Sequence, residues 1–217
     1  MCVFAPHINF KSRIISIDKI TSAVAYNIII KSLDKPPTSQ RFFNDRFNVS
    51  TRWKDIYLLP RFATVDNYSS IFQYKILNNI LFLNDKLYHL NFTDSPLCSL
   101  CLSANENIKH LFFECHITQS LWLSLQNLLS VRLPLQDLTL QSAVFGFLDE
   151  PSNSYNIANH ILLIFKIFIF KNRNSSPTSS MLFARIKSVA NIESQLCYST
   201  KQQARFHKKW SSIIDLL

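Results

Sequence analysis

Three of the chain's five cysteines and one of its six histidines fall in CSLCLSANENIKHLFFEC, residues 98–115. Their spacing is Cys98-x2-Cys101-x8-His110-x4-Cys115. Thiolate and imidazole are the donors of a tetrahedral zinc site, which usually takes them as two close pairs brought together by a turn. The two-residue gap lets both thiolates of a short knuckle face one ion. The gap of four places His110 and Cys115 about a turn and a half apart on a helix, so they meet only if the helix ends or distorts near 113. Ser103 and Glu106 have capping-box spacing, which predicts a helix starting near Ala104 that delivers His110. His116 adjoins Cys115 and competes as the fourth ligand, although a thiolate suits a structural site better. Four protein donors leave no position for water, so the metal's work would be to supply folding energy. Two other readings stand beside this one. One is a core helix with incidental buried cysteines. The other is a Cys98–Cys101 redox pair, which lacks a surrounding βαβ pattern.

Little else in the chain looks catalytic. The fourteen carboxylates show no paired acid and base, and Asp149-Glu150 precede Pro151 in an expected loop. With one glycine, Gly146, neither G-x-S-x-G nor a Gly-rich phosphate cradle can be written. His7, His89, His160 and His207 are isolated in sequence. Independent catalysis is not expected.

The same shortage of glycine argues against tight hairpins and bulges across 217 residues. Hydrophobic residues are 47% of the chain, enough for a packed core. The expected fold class is all-α with minor β content: an irregular helical assembly, a small zinc-knuckle segment, then a long basic helical tail. A first helix is predicted over 18–33, capped by Asp18 and ended by Pro36-Pro37. RFFNDRF and TRWKDIYLL predict two short helices, the second stopped by Pro60, with Phe42, Phe43, Trp53 and Tyr57 as core anchors. Residues 67–90 read as a long helix or a pair broken near Asn84-Asp85, with Ile71, Tyr74, Leu77, Ile80 and Leu81 inward. An amphipathic helix over about 117–129 carries Leu121, Trp122, Leu125, Leu128 and Leu129. The run ILLIFKIFIF, 161–170, is half the length of a membrane span and holds Lys166, so it reads as a buried helix. Expected divisions are 1–60, 61–150 and 151–217.

Charge is uneven across those divisions. The total of +9 divides as +5, −3 and +7, so the basic excess lies in the two ends. In TKQQARFHKKWSSIIDLL, Lys201, Arg205, Lys208 and Lys209 recur on one helical face, with Phe206, Trp210, Ile213, Ile214 and Leu217 on another. Lys171, Arg173, Arg185 and Lys187 add charge upstream. Such a face suits the phosphates of RNA or DNA. It is also what an ordinary solvated helix or a membrane-surface or partner helix presents. The opening MCVFAPHINFKSRI lacks a secretory signal's order, so an intracellular, reducing setting (cytoplasm or nucleus) is expected, where clustered cysteines bind metal.

FQYKILNNILFLNDKLYHLNFTDSPLCSLCLSANENIKHLFFECHITQSLW resembles the zinc-binding domain at the C-terminus of LINE-type (non-LTR) retrotransposon reverse transcriptases. The resemblance rests on Gln73, Lys75, Ile76 and Leu77, then Cys98 and Cys101, Glu106, the run His110, Leu111, Phe112 and Cys115, and Trp122. It is specific over 71–122; SAVAYNIIIKSL and NIANHILLIFKIFIFKNRN resemble flanking helices more loosely. It implies zinc held by Cys98, Cys101, His110 and Cys115, and contact with template RNA or target DNA. It further implies an accessory part beside a polymerase, since no Asp-Asp of a palm occurs here. A structural domain that docks onto a polymerase without touching nucleic acid is the competing expectation.

Overall fold

The structure, a computed structural model, describes residues 7–10, 13–16, 20–33, 35, 37–47, 52–133, 138–148 and 153–216. It divides into two compact units, Met1–Pro37 and Thr38–Leu217. The divisions expected near 60 and 150 therefore fall inside the second unit, where helices on both sides of each position share one core.

The first unit holds an antiparallel hairpin, β1 (His7–Phe10) and β2 (Arg13–Ser16), with His7 opposite Ser16 and Phe10 opposite Arg13. Sequence reading gave no strand here. The period-two alternation of HINF is the available signal, and four residues are too few to carry it against helical neighbours. Helix α1 (Ser22–Leu33) follows, and the Thr21 hydroxyl accepts the Val24 N–H at 3.3 Å. Asp18, the expected cap, lies outside the described residues.

The second unit is helical, with α2 (Thr38–Phe47), α3 (Trp53–Ala63), α4 (Asn67–Leu77) and α5 (Asn84–His89) preceding the cysteine segment. A π turn (His110–Glu114) runs into α6 (His116–Leu129), then α7 (Leu140–Phe145), α8 (Asn153–Asn172), α9 (Ser179–Ser199) and α10 (Gln203–Trp210). A short 3-10 turn, Ile214–Leu216, completes the described chain. Helix α8 is the axis of the core. Residues 157–169 are buried without a break, because α3, α4, α9, α10 and the π turn all pack against it. A helix apolar on every side is what such a central position requires. Among the described residues, no helix is long and apolar enough to cross a membrane.

Phe43, Trp53 and Phe145 form an edge-to-face aromatic cluster, with Phe42 and Tyr57 half-buried around it. Helix α3 continues to Ala63 beyond Pro60, where it was expected to stop. Proline forfeits one backbone bond, but Pro60 and Ala63 are both buried and the Thr64 N–H donates to the Pro60 carbonyl at 3.0 Å. The 67–90 segment is a broken pair. Asn78 caps α4, Asn79 takes a left-handed φ of 51°, and α5 restarts at Asn84. The inward stripe of α4 is Ser69, Phe72, Gln73, Ile76 and Leu77, so Ile71 and Tyr74, expected inside, face outward, as does Ile80 beyond the break. In α6 the expected stripe holds: Leu121, Trp122, Leu125 and Leu129 are buried.

Candidate metal centre

The sulfurs of Cys98, Cys101 and Cys115 and a ring nitrogen of His110 all lie within 4.8 Å of one another. Zinc–sulfur bonds of about 2.3 Å in a tetrahedron place sulfurs about 3.8 Å apart, so one ion fits among these donors. Cys101 Sγ and His110 Nε2 are already 3.2 Å apart. Cys98, His110 and Cys115 are buried and Cys101 is half-exposed. His116 is exposed at the first position of α6 and outside the group, so Cys115 is the fourth donor.

Local backbone geometry builds each half of the site. The Cys98 N–H donates to the Ala104 carbonyl and the Glu106 N–H to the Pro96 carbonyl, both at 2.8 Å. These bonds fold the knuckle into a hairpin-like loop, closed by the Leu102 N–H on the Cys98 carbonyl at 2.8 Å. Leu102 takes a left-handed φ of 54° in the turn. The second half depends on the π turn. An α-helix would set residues five apart about 140° apart around its axis. The wider i→i+5 closure, with the Cys115 N–H on the His110 carbonyl at 2.8 Å, brings residue 115 back towards 110. The distortion expected near 113 is therefore this π turn.

Two side chains satisfy the carbonyls that the irregular turn releases. The Thr118 hydroxyl donates to the Leu111 carbonyl at 2.8 Å, and Trp122 Nε1 to the Phe112 carbonyl at 2.9 Å. The Trp122 ring stacks on Phe165 of α8, with centroids 3.5 Å apart. A tryptophan seven residues past the last cysteine thus ties the metal loop to the central helix.

The capping box does not form. The Ser103 hydroxyl donates to Cys101 Sγ at 3.1 Å, and the helical turn is capped by Asn107, whose Oδ1 accepts the His110 N–H at 2.9 Å. Glu106 is fully buried instead. Its carboxylate accepts the Ser99 N–H at 2.9 Å and the Asn84 N–H at 3.2 Å, and Arg173 Nε lies 3.3 Å away. Glu106 therefore clamps the middle of the Cys98–Cys101 knuckle to the start of α5 and to the end of α8. Sequence reading gave it a capping role because local spacing carries no sign of Arg173.

Within this group the Cys98 and Cys115 thiols are paired, Cys98 as donor and Cys115 as acceptor. Donating to Cys115 raises the Cys98 pKa, and burial raises it further. Accepting from Cys98 lowers the Cys115 pKa, and the Ile117 and Thr118 amides in the first turn of α6 add to that. Amides facing a sulfur favour the thiolate that zinc requires.

Residues 38–122 match the family model for zinc-binding in reverse transcriptase. This segment is a reverse-transcriptase zinc-binding domain. The match begins at Thr38, where the second compact unit begins, and ends at Trp122, which anchors the metal loop. No curated protein and no solved structure gives a match to the chain. The helices beyond Trp122 share one buried core with the matched segment. On α4, Gln73 donates to the Val144 carbonyl at 2.8 Å and accepts Lys166 Nζ of α8 at 2.6 Å.

The expected phosphate contacts separate into two groups. Arg173 is half-buried against Glu106 and its guanidinium also covers the Phe170 ring at 4.1 Å. Lys209 Nζ is held by both Glu193 oxygens at 2.9 and 3.0 Å, and burial lowers its pKa. These two cations brace the fold. Lys171, Arg185, Lys187, Lys201, Arg205 and Lys208 are exposed. The tail is also not one helix: α9 ends at Ser199, Lys201 takes a left-handed φ of 56°, and α10 packs back against α9 and α8. Trp210 is buried on the apolar face of α10 and Phe206 is half-buried, as their spacing predicts, and Lys209 sits at the edge of that face; Ile213 is buried in the turn beyond α10, whereas Ile214 is exposed and Leu217 lies outside the described residues.

Proposed function

We propose that this protein is a non-catalytic, zinc-stabilised nucleic-acid-binding module of LINE-type reverse transcriptase origin, which holds template RNA or target DNA by its phosphates. Zinc fixes the knuckle and the π turn, and these seat the domain on α8. The observation that carries the nucleic-acid reading is the arrangement at the α9–α10 corner. Lys201, Arg205 and Lys208 are exposed with no carboxylate partner among the described residues, while Glu193 of α9 is engaged by Lys209 and by Trp210 Nε1 at 2.7 Å. A second reading, docking onto the polymerase part of a parent element, is favoured by the outward apolar face of α4, where Tyr68, Ile71 and Tyr74 are each about half exposed.

The test is binding of labelled single-stranded RNA and DNA by the zinc-loaded full chain across a salt series. Affinity should fall as salt rises, and the triple variant Lys201→Glu, Arg205→Glu, Lys208→Glu should flatten that dependence by about 2 in log–log slope, at about 0.7 per lost contact. Lys209 is left intact because a carboxylate beside Glu193 would unfold the corner. Affinity indifferent both to salt and to the triple variant rejects the nucleic-acid reading and leaves docking.

A further inference from the structure

The cations of α10 do not lie on a flat face. Arg205 and Lys208 stand at the rim of a cavity of about 300 Å³ between the end of α3, the start of α8, the end of α9 and α10. Its walls are apolar and aromatic: Phe62, Val65, Leu196 and Phe206. Asn156 and Gln202 add polar groups to the lining. Phe62 is 71% exposed, so its ring face is open to a ligand entering the cavity. Glu193, which also lines the cavity, has its charge balanced by Lys209 at 2.9 Å.

We propose that this cavity receives one unpaired base of a single-stranded nucleic acid, stacked against Phe62 and Phe206, while the neighbouring phosphates lie on Arg205 and Lys208. The proposal rests on the nucleic-acid reading above and specifies the form of ligand at that site. The volume is at the small end of ligand pockets, enough for one planar heterocycle. Every base has an apolar face for an aromatic ring, and amide side chains such as Asn156 and Gln202 can meet its edge without selecting a sequence. A paired base is held in its stack and cannot reach the cavity, so the site favours single strands.

The experiment compares the zinc-loaded full chain on a uridine oligonucleotide and on an abasic oligonucleotide of the same length and phosphate count, by fluorescence anisotropy at several salt concentrations. The base-bearing strand should bind about five- to a hundredfold more tightly, the range that stacking one base supplies. Phe62→Ala should remove most of that preference and leave the salt slope unchanged, because the exposed ring carries no charge. Phe206→Leu keeps the apolar packing of α10 while removing the second ring, and should act in the same direction. Salt-dependent binding with equal affinity for both strands, or a preference untouched by either variant, overturns the proposal while the phosphate-binding reading stands. If the strands show no preference and Phe62→Ala instead weakens capture of a polymerase fragment, the cavity serves protein docking and the proposal also falls. Salt-independent binding of both strands removes the proposal and the reading beneath it together.

Discussion

Lys166 offers a quantitative test of how this core is assembled. It lies in the middle of α8, is 1% exposed, and donates to Gln73 Oε1 at 2.6 Å and to the Val144 carbonyl at 3.1 Å. Both acceptors are neutral, and burial drives its pKa from 10.5 down to about 7. The unfolded chain keeps the Lys166 proton up to about pH 10, the folded chain only to about pH 7. Between those values the unfolded state binds more protons, so stability rises with pH, by up to about 1.4 kcal/mol per pH unit. At pH 7 the buried amine opposes folding by about 4 kcal/mol relative to an unperturbed lysine. Lys166→Met removes that opposition but leaves Gln73 Oε1 without its donor, a loss of about 1–3 kcal/mol. The Val144 carbonyl keeps its bond from Gln73 Nε2 at 2.8 Å. The variant should therefore be about 1–3 kcal/mol more stable than the wild type at pH 7, and the advantage should shrink steadily and reverse between about pH 8 and about pH 10. Urea denaturation of both zinc-saturated proteins at pH 7, 8 and 9, followed by far-UV circular dichroism, measures it. Taking the difference cancels contributions from cysteines common to both. Parallel pH curves, or a variant less stable at pH 7, would refute the account of Lys166 as a buried amine with no counter-charge among the described residues.

Other perturbations address the metal and the single glycine. Cys115→Ser should abolish binding of one zinc per chain and lower helical content, as should a strong chelator; Glu106→Gln should weaken zinc affinity by about ten- to a hundredfold, because it loosens the clamp on the Ser99 amide. Competition with a zinc-binding dye reads both. Gly146→Ala should destabilise by about 2 kcal/mol or more. The backbone there has φ +90°, and a Cβ would meet Asn159 Oδ1 at 2.7 Å. That oxygen accepts the Phe147 N–H at 2.8 Å, so the strain spreads to the α7–α8 junction. A thermal melt of the alanine variant indistinguishable from wild type would contradict it.

The four metal donors were legible because each half-site is local. A two-residue knuckle and a five-residue turn are built by nearby backbone, so the spacing of cysteine and histidine alone states which side chains can meet. The helices were legible for the same reason, with α6 the clearest, since an apolar stripe records one buried face. The register of α4 was not, because Phe72 and Ile76 compete with Ile71 and Tyr74 for that role and only contact with α8 decides between them.

Charge is where the tertiary structure has the deciding part. By residue type alone Arg173, upstream, and Lys209, on the tail's basic face, count towards the same phosphate-binding charge as Arg205 and Lys208. The fold brings Glu106 and Glu193, respectively 67 and 16 residues away, against the first two and leaves the others facing water. Side-chain type fixes what a residue can bond to; which partner it meets depends on long-range packing around α8. The sequence by itself therefore determined a zinc-binding helical domain, and only the assembled core decided which cations remain available to a ligand and that they border a cavity.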